Sequence, residues 1–314
     1  MNGALTNIVF TRNRPLQLDA YLTSLYRFMG SALAGSVVLY KEESFAEQYE
    51  TLFRERPHCR VVRESDFHDD FLAALDGVET PYVIFGTDDV VYFDSVDWST
   101  ITATFDQMGD SLFGFSLRLN PSTLQADQRH MMEMVVEGRP VYGVHWAKAL
   151  DKTARYPFEL NSTIYRTDLV RRIIGAVDTK SPVLGRLFRQ KGPLVRALRP
   201  VASPKRFLLL SETFKNPNTL EGLCYRWCRS HARRLPPYLC FQKLCACAIQ
   251  VNIVNTAIDN PIDGAAEHSV EALNAKYAEG FRFDHAFLMK NKPRRTHVGR
   301  RHFNLVQCRV HHDS

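Results

Sequence analysis

The chain has 314 residues, 45% hydrophobic and 24% charged, with a formal net charge of +6. These values exclude a disordered or fibrous chain and allow one large α/β domain or two closely packed ones. The seven cysteines are odd in number and no signal peptide is read at the N-terminus, which argues against a disulfide framework and for a reducing cytoplasm.

Five of the cysteines fall between Cys224 and Cys247 without the paired C-x-x-C spacing of a zinc site, so buried thiols are expected there. The apolar run before Arg12 is too short for a signal sequence or a membrane span. The stretch from Leu239 to Ile258 is interrupted by Gln242, Lys243, Gln250, Asn252 and Asn255 and reads as a mostly buried helix. Thr179 to Ser211 carries eight basic residues and no acid, a patch that suits a phosphate-bearing or anionic partner such as a membrane surface. Pro182, Pro193, Pro200 and Pro204 break the same segment, so a solvated basic loop is the plainer reading.

In chain order, Asn7 to Phe10 reads as a strand, and Leu16 to Leu25 follows at helical spacing after the polar cluster Thr11 to Pro15. Ser36 to Tyr40 and Cys59 to Val62 are the next strands, with a helix over Ala46 to Phe53 between them. A helical segment at Phe71 to Leu75 precedes Tyr82 to Phe85, which is continuously apolar, as a strand covered on both faces should be. This βαβ alternation predicts a parallel sheet. Trp98 to Met108 is helical and Ser111 to Leu119 a further strand. Later helices are expected at Arg166 to Ile174, Thr219 to Cys228 and Val270 to Ala278, with an irregular basic closing segment after Lys290.

Ligands of open α/β sheets bind beyond the carboxyl ends of the strands, where Thr11 to Arg14 and Thr87 to Asp89 both lie. Asp88 and Asp89 end a strand, so one carboxylate can hold a metal while the other holds sugar or ribose hydroxyls. An Asp pair in a turn after a strand also forms for local hydrogen bonding alone. Arg12 and Arg14 offer planar donors for a diphosphate, and Glu42, Glu64 and Asp66 follow the second and third strands.

Taken together, IVFTRNRPLQLDAYLTSL, VVLYKEE, RESDF and YVIFGTDDVVYF resemble the opening of GT-A glycosyltransferases, especially bacterial family-2-like members. The resemblance spans about the first 120 residues, and the order of the segments is its most specific feature. It implies a Rossmann-like nucleotide-diphospho-sugar transferase fold with a mostly parallel central sheet and a helical C-terminal acceptor part. A donor half at 1–120, an acceptor half at 121–289 and a basic tail at 290–314 follow from it. Implied too is hexosyl transfer from a nucleotide-diphosphate sugar to a hydroxyl of a glycan or lipid-linked acceptor. Such a reaction belongs to bacterial surface polysaccharide or lipopolysaccharide synthesis, in the cytoplasm or peripherally at the inner face of the membrane.

The segment YVIFGTDDVVYF occupies the place of the family's D-x-D motif, which implies Mn²⁺ or Mg²⁺ held by Asp89 with Asp88 in the middle position. Thr87 stands where a strict motif has its first acid. Thr11, Arg12, Asn13, Arg14, Glu42, Asp66, Asp88 and Asp89 are the implied donor-binding residues. YPFELNSTIYRTD matches a segment beside the transferred sugar and NPNTLEG one near the acceptor, which makes Glu159 and Glu221 the candidate bases, with Asp88 as a third catalytic carboxylate. Glu221 also reads as the N3 residue of a capping box opened by Asn218. His145, His268 and His297 are equal candidates to complete the metal sphere, and His145-Trp146 also suits stacking on a sugar or base. Two alternatives remain: a sugar-phosphate nucleotidyltransferase, for which TRNRP lacks a Gly-rich loop, and a nucleic-acid-binding protein, for which the basic segment lacks interleaved aromatics.

Overall fold

The computed structural model describes residues 3–178, 214–252 and 266–308. The basic segment Thr179 to Ser211 lies outside them, as does the chain from 253 to 265. Three successive βα units open the chain: β1 Leu5–Arg12 and α1 Pro15–Met29, β2 Leu33–Lys41 and α2 Ala46–Glu55, then β3 Cys59–Arg63 and α3 Phe67–Asp76. β4 Tyr82–Thr87, β5 Val90–Tyr92, α4 Trp98–Met108 and β6 Gly114–Ser116 follow.

A hairpin, β7 Met132–Val136 and β8 Arg139–Val144, leads to β9 Thr163–Arg166 and α5 Thr167–Val177. After the undescribed segment come α6 Pro217–Ser230, β10 Tyr238–Phe241 and β11 Ala246–Gln250. The last elements are α7 Val270–Ala278, β12 Phe281–Phe283, α8 His285–Lys290, β13 His297–Gly299 and β14 Leu305–Gln307.

Nine strands form one sheet in the order β3-β2-β1-β4-β9-β6-β10-β8-β7. The parallel sheet expected from the βαβ pattern is β3-β2-β1-β4. From β9 onward the pairing is mixed, with β9 antiparallel to both β4 and β6, and β10 parallel to β6. Along β1, Leu5 and Val9 face a core shared with α1, α2, α4, α7 and α8. Ile8 and Phe10 face a second core shared with α3, α5 and α6. Helices therefore cover both faces, which is why β1 and β4 are apolar at successive positions instead of alternating.

Polar groups between the layers are satisfied in a chain. The Tyr21 hydroxyl donates to Asn7 Oδ1 at 2.6 Å, and Asn7 Nδ2 donates to Ser36 Oγ at 3.0 Å. Gly86 in β4 lies against the Tyr21 ring, and a Cβ there would fall 2.1 Å from the tyrosine hydroxyl.

The expected helix over Leu239 to Ile258 is instead β10, a turn at Gln242-Lys243, and β11. A short continuous apolar run does not distinguish a buried strand from a buried helix. Here β11 runs between β5 and β13 with Ala246 to Ile249 all buried. Positions from 253 on lie outside the described residues. The closing segment is likewise more regular than expected, since β13 pairs in parallel with β11 and β14 pairs antiparallel with β12. The β7–β8 turn places Glu137 and Gly138 at φ of 48° and 75°, the left-handed pair a two-residue hairpin needs.

Among the described residues no helix is long and apolar enough to cross a membrane. The buried cysteines, Cys59, Cys224, Cys228, Cys240, Cys245 and Cys247, are free thiols, as expected.

Because Tyr21 is fully buried and tied to Asn7, it cannot yield to a new methyl group. Gly86→Ala is expected to cost about 2 kcal/mol of stability through overpacking, read as a lowered urea midpoint at unchanged slope.

Candidate active site

The loop after β1 and the turn after β4 meet at the carboxyl edge of the parallel strands. Asp88 is buried there with both oxygens engaged. The Thr11 hydroxyl donates to Oδ2 at 2.8 Å, the Arg12 amide reaches the same oxygen at 3.4 Å, and an Arg14 nitrogen donates to Oδ1 at 2.9 Å. Burial raises the Asp88 pKa, the Arg14 charge opposes that, and the neighbouring Asp89 adds to it. Arg14 also donates to the Asn252 carbonyl at 2.5 Å, so its terminal nitrogens hold protein groups. Its backbone amide donates to the Tyr49 hydroxyl at 3.0 Å. Asn13 takes a left-handed φ of 55°, which turns the chain into α1, where Pro15 occupies the first turn.

Asp89 differs from its neighbour. Its backbone carbonyl accepts from the Ile249 amide at 2.7 Å, which fixes the turn, and Oδ1 accepts from the Thr87 hydroxyl at 2.6 Å. Oδ2 has no hydrogen-bond partner among the described residues. Thr87, standing at the first position of the acidic motif, also meets Asn161 with its hydroxyl. Arg12 and Asn13 turn outward and both bind Glu43. Glu42 pairs with Arg63 and Glu64 with Lys41 at the ends of β2 and β3. Asp66 caps α3 by accepting from the Asp69 amide. Asp66, His68 and Asp69 bring their ligand atoms within 4.8 Å of one another and so form a group able to hold a metal. The His68 ring nitrogens there meet Asp69 at 2.8 Å and Asp178 at 2.7 Å.

Glu159 and Glu221, far apart in sequence, are brought together by the segment preceding β9. Glu159 is buried and held by the Arg118 guanidinium and the Thr163 hydroxyl. Glu221 accepts from the Leu160 amide at 3.1 Å and from the Tyr156 hydroxyl at 3.3 Å. Its pKa is raised to about 7 by burial, with the Glu159 charge adding to the rise and the Leu160 hydrogen bond and Arg118 opposing it. The capping-box reading is corrected in register. Asn216 is the N-cap and Thr219 the reciprocal N3 residue, so Glu221 lies farther along α6 and turns inward.

Arg118, which the sequence reading missed, is the cation at the centre of this cluster. It follows the short central strand β6 in the run FSLRLN, and a charge in an alternating apolar strand is the signal that would have marked it. Its guanidinium is buried and lies in the field of Glu159, Glu221 and Asp89. Arg14 and Arg118 each keep a buried Nε with no hydrogen-bond partner among the described residues.

Of the three histidine candidates, the structure brings His297 to this cluster. Its Nε2 lies 3.4 Å from an Arg118 nitrogen and its Nδ1 3.1 Å from the Thr296 hydroxyl. Burial and Arg118 lower its pKa, against the opposing charges of Asp89 and Glu159, so the ring is neutral at neutral pH. His145 sits at the end of β8, where its Nδ1 accepts from the Ala147 amide at 3.3 Å. His268 stands before α7, 3.6 Å from Glu267. The indole of Trp146 is fully buried and donates to the Pro236 carbonyl at 2.9 Å, which removes it from stacking on a ligand.

No family model matches the chain. It is similar to the bifunctional glycosyltransferase pgtA of Dictyostelium discoideum, at 22% identity over 191 aligned residues that cover 54% of this chain. The chain spans about a quarter of that relative, 25% of its length. Among solved structures, S. aureus TarS is 15% identical with a TM-score of 0.38, over 54% of this chain and 29% of that one. A mannosyltransferase from Pyrobaculum calidifontis, solved in complex with GDP-Man and Mn²⁺, is 10% identical with a TM-score of 0.37, over 74% of each chain. The resemblance to glycosyltransferases read from the sequence thus recurs in the comparison with pgtA.

Because the Glu221 pKa is raised on folding, its contribution to stability is present below the ordinary carboxyl range and is lost as pH rises through about 7. Glu221→Gln removes that dependence. The stability difference between variant and parent should therefore shift in favour of the glutamine between pH 5 and pH 8, measured by urea unfolding at both.

Proposed function

We propose that this chain is a glycosyltransferase that moves a sugar from a nucleotide diphosphate to a hydroxyl acceptor. The observation carrying this reading is one cluster of charged side chains around Arg118 at the carboxyl edge of the parallel strands. In it, an Asp89 carboxylate oxygen with no hydrogen-bond partner among the described residues lies in the field of Arg118, and so does Glu221, whose pKa is about 7. The similarity to pgtA supports the same class of reaction. A bacterial family-2 setting in surface-glycan synthesis is the extension suggested by the N-terminal segments.

Asp89, whose charge acts on His297, would begin a donor set for a divalent cation. Asp89 would supply a carboxylate oxygen, and His297 would supply a neutral imidazole if its contact with Arg118 is exchanged for the metal. Mn²⁺ or Mg²⁺ bound there supplies neutralisation of the diphosphate that departs with the nucleotide. Asp88 does not compete for it, because both of its oxygens already hold the β1 loop. Arg12 and Asn13 stand at the outer rim, where they can reach a nucleotide after leaving Glu43, whereas Arg14 acts as a buried strut. Glu42 and Asp66 are proposed at the far side of the nucleotide.

Between the two candidate bases, Glu221 is the one matched to the task. Glu159 is held by Arg118 and Thr163 and serves to place them, while a carboxylate titrating near neutrality accepts a hydroxyl proton efficiently at physiological pH. The acceptor hydroxyl would lose its proton to Glu221 as the sugar leaves the diphosphate.

A thermal-shift screen of UDP-, GDP-, CMP- and dTDP-sugars with and without Mn²⁺ tests the reading. A cognate donor at a hundred times its Kd should stabilise the native state by about 2.7 kcal/mol. Asp89→Ala should abolish the Mn²⁺-dependent part of that stabilisation and leave the unliganded melting midpoint near the parent's. Unchanged metal dependence in the variant would remove Asp89 from the site, and no stabilisation by any sugar nucleotide would count against the activity itself.

A further inference from the structure

At the end of α6 the chain turns through Arg229, Ser230, His231, Ala232, Arg233 and Arg234, and these six residues line an open cavity of about 510 Å³. It is not the site at the sheet edge. Arg229 is eight residues beyond Glu221 on the helix, about 12 Å at 1.5 Å per residue. Arg229, Arg233 and Arg234 are exposed, and no ion pair joins any of them to a carboxylate among the described residues. No acidic residue occurs in the sequence between Glu221 and Asp259.

The turn is built to stay in place. The His231 amide donates to the Cys228 carbonyl at 3.0 Å and the Trp227 carbonyl at 3.2 Å. The His231 ring stacks on Trp227 with centroids 4.2 Å apart, and its Nδ1 lies 2.9 Å from the Trp227 carbonyl. The Arg234 amide donates to the His231 carbonyl at 2.9 Å, and Ala232 and Leu235 pack on the core below. A helix C-terminus favours cations, which accounts for Arg229 in the last turn. It does not account for two further arginines beyond the helix around a concave surface, where like charges repel unless an anion sits among them.

We propose that this cavity binds a phosphate-bearing group, held by Arg229, Arg233 and Arg234 through charge-assisted hydrogen bonds. Guanidinium forks match the spacing of phosphate oxygens, and a turn fixed beforehand loses little conformational entropy on binding. The same chemistry is offered by a soluble phosphate compound and by a lipid headgroup.

The test compares the full chain with the Arg229→Ala, Arg233→Ala, Arg234→Ala triple variant in two assays. One is calorimetric titration with inorganic pyrophosphate at low salt. The other is co-sedimentation with phosphatidylglycerol vesicles, against phosphatidylcholine vesicles as the neutral control. The triple variant is expected to bind at least tenfold more weakly in one assay, with an unchanged melting midpoint and unchanged sugar-nucleotide stabilisation. A loss in titration assigns the site to soluble phosphate compounds, and a loss confined to anionic vesicles assigns it to a lipid phosphate. Parental binding by the variant in both assays, or no binding by the parent in either, overturns the proposal. A parallel loss of sugar-nucleotide binding also overturns it, because the arginines would then belong to the donor site.

Discussion

The buried contact between Asp88 and Arg14 is the constraint on which the site depends. It joins the loop after β1 to the turn after β4, and it does so at a depth where both side chains are almost out of water. For Asp88 the loss of hydration is the largest influence and outweighs the attraction of Arg14. Such a pair adds little net stability, yet removing one partner would leave an uncompensated buried charge, at a cost on the order of 3–5 kcal/mol. What the contact provides is placement. With Asp88 committed to Thr11, Arg12 and Arg14, the next residue is left at the rim with a carboxylate oxygen that has no hydrogen-bond partner among the described residues.

A second buried pair, Arg118 with Glu159, does comparable work on the other side. Arg118 stands among Glu159, Glu221, Asp89 and His297, so a single positive charge acts on several titratable groups at once. It helps to keep His297 neutral and partly offsets the rise in the Glu221 pKa. Glu159 is fixed by direct contact with the arginine, whereas Glu221 feels only its field and is left near neutrality. On the proposed reading the two carboxylates take different roles, one positioning and one proton-accepting.

The sequence made the first half legible because β1, β2 and β4 carry continuous apolar runs and each is followed by a polar break. The Thr11 to Pro15 loop and the Asp88-Asp89 turn were visible as polar punctuation after such strands. Arg118 was not, and His297 was named only as an equal of His145 and His268, since each lies in or beside a three-residue strand, β6 or β13, too short to show a period. The capping register of α6 was ambiguous because Asn216 and Asn218 are both good caps. Only the reciprocal bonds between Asn216 and Thr219 decide it, and moving the start by two residues changes Glu221 from a cap to an inward-facing carboxyl. β10 and β11 were misread as a helix because burial on both faces erases the alternation that distinguishes a strand.

Those two misread strands explain how the site is closed. β11 lies between β5 and β13, antiparallel to the first and parallel to the second. Through β5 it faces the turn that carries Asp89, and the Ile249 amide donates to the Asp89 carbonyl at 2.7 Å. Through β13 it places His297, from the last part of the described chain, opposite Ala248. Just beyond the strand, Asn252 receives Arg14 on its carbonyl, so the same segment also braces the strut behind Asp88. A shift of β11 by one residue would move the Asp89 carbonyl contact, the His297 register and the Arg14 acceptor together. Continuous burial from Ala246 to Ile249 makes such a slip costly, because the following Gln250, exposed in this register, would be drawn into the core. The apolar composition that hid β11 in the sequence is therefore also what fixes the geometry of the site.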